Sequence, residues 1–226
     1  NAAPNGYGRI VWTNLREEPV LYVNGRPHVL RLADQPLTNV EATGVTTEVV
    51  ERIERALQRD LRQEARQRNG HVLLHDEVAL ENGEYAIVPV WETVQDSDIL
   101  TPRDVYERVS SEGFRVDYAR VAITDEQAPV PEVFSHLEER VQRAIDTDSM
   151  CVFNCQMGRG RTTSGMVIAS MIVSVLIQPR RLWALLRNGM VVDASFSHTD
   201  VWPDEAPTLD VHVILPLCTS KPHLCA

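Results

Sequence analysis

A short apolar strand that runs directly into a glycine-rich turn and a long apolar helix constrains the fold of this chain more than any other feature. Residues 150–153 predict the strand, residues 154–161 the turn and residues 162–177 the helix. Such a unit points successive backbone NH groups at one place before the helix N-terminus, where they can bind phosphate. Gly158 and Gly160 lack a Cβ, which permits positive φ and close backbone approach. The sequence therefore predicts an α/β unit with an anion-binding turn.

Strands and helices alternate along most of the chain. Further strands are predicted over residues 9–15, 20–23, 28–32, 72–75, 85–91 and 114–123. Helices are predicted over residues 46–69, from Thr101-Pro102 onward, over 131–145, over 162–177 with an end at Pro179, and over 181–188. This alternation favours an α/β fold whose largely parallel central sheet is flanked by helices on both faces.

Local turn chemistry adds one specific expectation. Asn24-Gly25 between two apolar runs predicts a tight β-hairpin. Pro27 lacks a backbone donor, so pairing beside that turn should be weak or confined to a sheet edge.

The length of 226 residues is enough to bury a substantial core, and it fits one domain over residues 1–226. We expect this domain to be excised from a longer chain, with possible neighbouring domains, because no initiator methionine or leader is visible. Residues 189–226 form a tail whose pattern leaves a last strand and a packed extension both open.

The balance of charge limits the classes of partner. With 32 acidic and 22 basic residues the formal charge is -10, which argues against binding to nucleic acid or to a membrane surface. The most apolar run, residues 165–177, is too short to span a bilayer, so we expect no stable membrane insertion. Every basic residue except Lys221 is arginine, and guanidinium groups suit planar contact with phosphate.

The number and spacing of the cysteines indicate the redox state of the cellular compartment and whether a metal site is encoded. Four cysteines over this length make no disulfide framework, and no CxxC pair suggests zinc. We therefore expect a reducing, cytoplasmic location and neither metal nor cofactor. Cys151 is open to two interpretations, a packed core thiol or a redox partner of Cys155.

The turn itself carries a nucleophile. The field of the NH groups and helix N-terminus should lower the pKa of Cys155 and populate its thiolate. Arg161 can grip two phosphate oxygens, and the Thr162 hydroxyl can hydrogen-bond the sulfur as it leaves. A buried cysteine is more often simply packed, but the pattern Cys-x-x-Gly-x-Gly-Arg-Thr at a strand-to-helix junction favours the functional interpretation.

At these residues the sequence resembles the protein tyrosine phosphatase superfamily, whose signature is His-Cys-x5-Arg followed by Ser or Thr. The cysteine, arginine and threonine match, whereas Asn154 stands where the superfamily has histidine. The resemblance implies a tyrosine-phosphatase-like fold and a phosphocysteine intermediate. The phosphate would be held by the residues between the cysteine and the arginine, Gln156, Met157, Gly158, Arg159 and Gly160.

The same resemblance implies a general acid, an aspartate upstream of the cysteine, because an alkoxide leaving group needs a proton. Asp125 follows a predicted strand at a suitable position and is the predicted acid. Glu126 is adjacent and could serve instead. Trp202-Pro203-Asp204 matches the tripeptide of phosphotyrosine-specific enzymes but lies after the cysteine. Asp125 could also be an ordinary turn or helix-capping residue.

A second resemblance narrows the branch. Residues 14–25 are similar to the early segment of paladin-like phosphatases and of tyrosine-phosphatase-like inositol phosphatases (phytases), and the likeness runs from about residue 9 to residue 177. It implies that Arg16 helps to hold substrate phosphates, although a surface arginine paired with Glu17 or Glu18 is the alternative. Arg159 would add positive charge at the rim. His75-Asp76-Glu77 could face the site or be an exposed strand end.

The leading hypothesis is hydrolysis of phosphomonoesters on a small polyanionic substrate, an inositol polyphosphate. The alternatives are a phosphatase of phosphotyrosine or phosphoinositide lipids, and a catalytically weak domain that binds phosphorylated partners.

Overall fold

The computed structural model describes residues 8–38 and 44–187, so the predicted tail at 189–226 lies outside the described residues. These described residues contain eight strands: β1 Ile10–Arg16, β2 Val20–Val23, β3 Arg26–Val29, β4 His71–Ala79, β5 Tyr85–Thr93, β6 Ile99–Leu100, β7 Val116–Ile123 and β8 Met150–Asn154. The helices are α1 Thr47–Gln67, α2 Pro102–Ser111, α3 Pro131–Asp146 and α4 Gly160–Arg187, with a 3₁₀ turn at Asp96–Asp98.

The central sheet has three parallel strands in the order β7-β1-β8. Ile10 at the start of β1 pairs with Val116 on one side and Met150 on the other, so the three strands begin and end together. Parallel strands need crossover connections, which α1, α2 and α3 help to supply. The predicted α/β fold with a parallel central sheet is confirmed.

Helices cover both faces of this sheet. Successive side chains of a strand point to opposite faces. Val11 and Leu15 of β1 belong to the buried core that also contains Leu137 of α3 and Ile168 of α4. On the other face Trp12 packs against Tyr106 of α2, whose ring stacks on Tyr118 of β7. The expectation of helices on both faces is therefore also confirmed.

The other five strands are antiparallel and form the sheets β3-β2-β6 and β4-β5. The predicted hairpin is present: Asn24 and Gly25 have φ of 51° and 77°, the left-handed values that a two-residue turn needs. Pro27 lies on β3, an edge strand, as expected. The connections from β2 to β3 and from β4 to β5 are short turns, which permit only antiparallel pairing.

The last described helix differs from the prediction. Pro179 was expected to end a helix and residues 181–188 to form a separate one, but α4 runs without interruption from Gly160 to Arg187. Both predictions were wrong in this respect. A proline inside a helix removes one hydrogen bond and favours a kink, yet it does not force the helix to end when the flanking residues continue it.

Residues 160–176 of α4 approach the central sheet closely at one glycine. A Cβ built on Gly165 would lie 2.5 Å from Leu15 Cδ1 and 3.5 Å from Phe153 Cδ1, and both neighbours are buried. Glycine at this position therefore sets the distance between α4 and the strands β1 and β8. This matters for the site because Arg161 and Thr162 lie in the first turn of α4.

Substitution of Gly165 by valine should destabilise the fold by about 1–3 kcal/mol, since the added methyl groups overpack a filled core. The free energy of unfolding from urea denaturation measures the effect. Val167→Ala on the exposed side of the same helix is the control and should change stability by no more than about 0.5 kcal/mol. Equal effects of the two substitutions would contradict the role assigned to Gly165.

Across the described part of the chain, none of the helices combines the length and the apolar character needed to cross a membrane.

Candidate active site

The carboxyl ends of the three parallel strands bring distant residues to one edge of the sheet. Arg16 ends β1, Asn154 ends β8 directly before Cys155, and Asp125 lies two residues after the end of β7. Ligands of open α/β sheets bind at this edge, because loops that leave parallel strands there meet one another. The site is thus assembled from three segments that are far apart in sequence.

Cys155 lies buried beneath the turn, with 7% of its surface exposed. The Thr162 hydroxyl donates a hydrogen bond to its Sγ at 3.1 Å. Burial by itself would raise the pKa of the Cys155 thiol, but the hydroxyl and backbone NH of Thr162, the NH of Gly158 and the charge of Arg161 hold that pKa below its ordinary value. The geometry therefore favours a thiolate at this position.

The turn between Cys155 and α4 has the expected form. Gly158 has a φ of 73°, which a residue with a side chain adopts only with strain. Gly160 differs from the expectation: it is the first residue of α4, has no positive φ, and a Cβ there would meet no protein atom within 4 Å. Of these two glycines, only Gly158 is therefore required by backbone conformation. Met157 and Arg159 are exposed on the rim, and Gln156 is half-buried.

Arg161 is fixed by a carboxylate from the first segment. Its Nη1 and Nη2 each donate to an oxygen of Glu18 at 3.0 Å, and both side chains are almost fully buried. Burial by itself would lower the pKa of Arg161, but Glu18, Asp125 and Cys155 raise it above its ordinary value. The fork geometry orients the guanidinium plane as well as holding its charge.

The Nε of Arg161 is a buried donor with no aligned hydrogen-bond acceptor. The nearest carboxylate is Asp125, whose Oδ1 lies 3.2 Å away as an ion-pair partner, and the Asp125 side chain is 36% exposed. A buried donor without an acceptor is costly, so a ligand oxygen that reached it would be bound favourably.

Arg16 shares the Glu18 carboxylate with Arg161. Its Nε donates to Glu18 Oε2 at 3.0 Å, and its side chain is 15% exposed. Burial holds the pKa of Arg16 below its ordinary value. The sequence left open a surface arginine paired with Glu17 or Glu18, and the pairing with Glu18 is confirmed. The surface position is wrong, because Arg16 lies within the buried cluster beside Arg161.

Asp125 is held in place by Glu17, whose Oε1 accepts the Asp125 backbone NH at 3.1 Å. Burial raises the pKa of Glu17 above its ordinary value. The adjacent Glu126 has a φ of 56° and an exposed side chain. Of these two candidate acids, Asp125 is the one that the structure places beside Arg161. Asp204 lies outside the described residues.

Asn154, at the position where the signature has histidine, makes hydrogen bonds through both ends of its side-chain amide. Its Oδ1 accepts from Trp12 Nε1 at 2.8 Å, and its Nδ2 donates to the Cys155 carbonyl at 3.3 Å and to Asn14 Oδ1 at 3.5 Å. The amide therefore links the turn to the central strand of the sheet. It does so with a group that does not titrate, unlike histidine.

Other sequence-predicted candidates lie elsewhere. Cys151 is buried, and burial raises the pKa of its thiol to about 11. It lies on β8 four residues before Cys155, roughly 13 Å along an extended chain. Disulfide formation would require β8 to unfold, so the packed-thiol interpretation fits. Residues 75–77 are exposed on β4, where Asp76 faces Arg26 at 3.8 Å.

Glu17 and Glu18 are the residues that sequence reasoning missed as parts of the site. Both are 1% exposed, although consecutive glutamates suggest a solvated turn. Their position in the sequence could have revealed them, because they directly follow the predicted strand 9–15. In a largely parallel sheet that strand ends at the same edge as the strand before Cys155. Within residues 8–38 and 44–187, no three His, Cys, Asp or Glu side chains come together to hold a metal ion.

Comparisons with known proteins agree with this geometry. A curated relative, Paladin of Gallus gallus, is 31% identical over 169 residues, which cover 74% of this chain and 18% of that protein. Paladin of Homo sapiens is 27% identical over 163 residues, covering 71% of this chain and 16% of that protein. The chain therefore spans less than a fifth of the length of these relatives.

A solved structure shows the same fold. The PTP-like myo-inositol phosphatase from Mitsuokella multacida, in complex with myo-inositol-(1,3,4,5)-tetrakisphosphate, matches with a TM-score of 0.50 and 20% identity, over 73% of this chain and 24% of that one. The family model of PTP-like phytases, described by inositol hexakisphosphate, matches residues 13–173. Since this match covers most of the chain and all three segments of the site, the chain belongs to the PTP-like phytase family.

Proposed function

We propose that this chain hydrolyses phosphomonoesters of inositol polyphosphates through a phosphocysteine intermediate. One observation carries the proposal: the Cys155 thiol, with a lowered pKa, lies under a phosphate-binding turn whose arginine is locked in place by Glu18. Such an arrangement supplies a nucleophile and fixed positive charge at one point.

In the first step the Cys155 thiolate attacks phosphorus, and an S–P bond forms while the bond to the ester oxygen breaks. Arg161 and the NH groups of the turn hold the phosphoryl oxygens. A phosphate oxygen would satisfy the Arg161 Nε that has no aligned acceptor in the free protein. Asp125 gives its proton to the leaving oxygen, so that an alcohol departs instead of an alkoxide.

In the second step water attacks the phosphocysteine. The Asp125 carboxylate takes a proton from this water, and the S–P bond breaks to release inorganic phosphate. The electron pair returns to sulfur, where the Thr162 hydroxyl, 3.1 Å away, stabilises the thiolate. The hydrogen bond from the Asp125 backbone NH to Glu17 holds this residue near the reacting groups.

A polyanionic substrate fits the charge around the turn. Although the chain carries a formal charge of -10, Arg159 on the rim and Arg16 beside Arg161 add positive charge at the site. This local charge favours a substrate with several phosphates. The complex of the Mitsuokella multacida phosphatase with an inositol tetrakisphosphate supports the same substrate class.

A panel assay tests the proposal. Phosphate release is measured from inositol hexakisphosphate, from phosphoinositides in vesicles and from a phosphotyrosine peptide, and we expect the highest kcat/KM for inositol hexakisphosphate. Acid quenching with radiolabelled substrate should trap phosphate on Cys155. A higher kcat/KM for the phosphotyrosine peptide or the phosphoinositide would contradict the assignment of inositol polyphosphates as the substrate class. Binding of inositol hexakisphosphate without turnover would instead indicate a phosphate-binding domain.

Asp125→Asn should separate the role of the acid from that of the nucleophile. We expect kcat on inositol hexakisphosphate to fall by about 100-fold or more, and kcat on an aryl phosphate by far less, since a phenolate leaves without a proton. The exposed Glu126→Gln is the matched control and should stay near wild type. Equal losses on both substrates for Asp125→Asn would point to Glu126 or Asp204 as the acid.

A further inference from the structure

A buried ion pair lies next to the candidate site but belongs to none of its three segments. Glu54 on α1 and Arg120 on β7 are 1% and 4% exposed, and Arg120 Nη2 lies 2.5 Å from Glu54 Oε1. The roles proposed for the reaction above leave this pair unused.

The pair forms hydrogen bonds with the backbone at both ends of residues 16–20, the segment whose glutamates contact Arg161 and Asp125. We call residues 16–20 the acidic turn. Arg120 Nη1 donates to the Arg16 carbonyl at 3.0 Å, and Glu54 Oε1 accepts the Val20 backbone NH at 3.0 Å. Between these two anchor points lie Glu17 and Glu18. The ion pair therefore bridges the acidic turn from behind.

Regular sheet pairing does not fix the backbone at this point. Along β1 and β7, Asn14 pairs with Arg120, but Arg16 pairs with Ile123, so the register shifts by one residue between them. A bulge of this kind interrupts the ladder and re-aims side chains. The hydrogen bond from Arg120 to the Arg16 carbonyl supplies support at the bulge, and Glu54 holds the other end of the acidic turn at Val20.

A contribution to fold stability does not by itself explain why the charged pair of Glu54 and Arg120 is buried. Burial raises the pKa of Glu54 above its ordinary value even beside Arg120, which reflects the cost of removing the carboxylate from water. Apolar replacements of buried ion pairs are often neutral or stabilising. What an apolar pair could not supply is the two directed backbone hydrogen bonds that define the acidic turn.

We propose that Glu54 and Arg120 are positioning residues of the phosphatase site: together they hold the acidic turn so that Glu18 orients Arg161 and Glu17 anchors Asp125. This inference rests on the proposed function for its catalytic consequence. Its structural part, the orientation of Arg161 above the Cys155 thiol, can be measured without turnover.

The test uses the double variant Glu54→Leu/Arg120→Met in the full chain. We expect it to unfold within about 5 °C of wild type, because apolar replacement of a buried pair is tolerated. We expect kcat/KM on inositol hexakisphosphate to fall about 10- to 100-fold, the usual effect of misplacing reacting groups by an ångström. The pH midpoint of Cys155 alkylation by iodoacetamide, followed by site-localised mass spectrometry, should move upward.

The control is a second ion pair at the other end of the same strands, with a buried arginine and a half-buried aspartate. Arg140 of α3 binds Asp117 Oδ1 at 2.8 Å and the Trp12 carbonyl at 3.1 Å. Asp117→Leu/Arg140→Met should leave kcat/KM and the alkylation midpoint at wild-type values once the folded fraction is matched. Parallel losses in both double variants would mean that the Glu54 pair acts only through stability, and would overturn the proposal.

Two further outcomes keep the inference separate from the proposed function. Arg120→Lys keeps the ion pair but loses the fork that reaches Arg16, so it should fold normally and show a smaller loss of kcat/KM. If it and the double variant both match wild type, the positioning role is overturned. If wild type shows no turnover, the proposed function fails. An upward shift of the Cys155 alkylation midpoint in Glu54→Leu/Arg120→Met, without a shift in Asp117→Leu/Arg140→Met, would still support the positioning role.

Discussion

Replacing Cys155 by serine is expected to abolish phosphate release on every substrate that the wild-type chain hydrolyses. A serine hydroxyl at this site would stay protonated, whereas the thiolate of Cys155 is favoured by the lowered pKa of its thiol. Removal of a nucleophile in other enzymes lowers turnover by on the order of 10⁵-fold or more. The measurement is kcat on inositol hexakisphosphate, with binding of the same compound followed by calorimetry.

Cys151→Ser provides the matched control for this experiment. Cys151 lies on β8, the strand that ends directly before Cys155, is 1% exposed, and burial raises the pKa of its thiol to about 11. We expect this variant to lose stability but to keep kcat per folded molecule. Binding should be retained in Cys155→Ser, because Arg161 and the backbone of the turn are unchanged. Turnover that persists in Cys155→Ser, or is lost equally in Cys151→Ser, would contradict the assignment of the nucleophile.

Glu18→Gln should have the second largest effect, on both stability and activity. Glu18 is 1% exposed, and its one carboxylate pairs with two guanidinium groups, those of Arg161 and Arg16. Removing one partner of a buried ion pair leaves uncompensated charge and costs about 3–5 kcal/mol. Since Arg161 also loses its orientation, we expect kcat/KM to fall about 100-fold in the molecules that remain folded. Urea denaturation and steady-state kinetics measure the two effects.

The pH dependence of stability gives an independent check on Glu18. Burial by itself would raise the pKa of this carboxyl, but Arg161 and Arg16 lower it below its ordinary value. The contribution to stability is therefore fully present above the unfolded-state pKa of about 4.3 and is lost as the pH falls through the folded-state pKa. Glu18→Gln should lack this acid-dependent loss of stability.

The exposed pair of Arg26 and Glu92 offers the control for Glu18. Arg26 is half-exposed, so Glu92→Gln should cost no more than about 1 kcal/mol. Its activity should equal that of wild type, since the pair joins β3 to β5 away from the carboxyl ends of the central strands. A loss as large as that of Glu18→Gln would show that any ion pair, rather than this particular one, supports the site.

Much of the fold followed from signals that act over a few residues. Asn24-Gly25 defined its hairpin because both positions need left-handed φ. The strand before Cys155 and the start of the helix after it were predicted to within two residues, whereas the end of that helix was not. Asp125 was chosen from its distance to Cys155 along the chain and a preceding strand. In the structure its Oδ1 lies 3.2 Å from Arg161 Nε. Its role as the acid remains a prediction.

The tertiary structure decided what lies around that turn. Arg161 and Glu18 are separated by 143 positions in sequence, and no local pattern reveals that they meet. They meet because parallel strands bring their carboxyl ends to one edge, and because burial makes each charge depend on its partner. The same burial turned Arg16 from a possible surface residue into part of the site. The sequence by itself predicted the Cys155 turn and its candidate nucleophile, whereas tertiary packing decided which carboxylates orient the arginine.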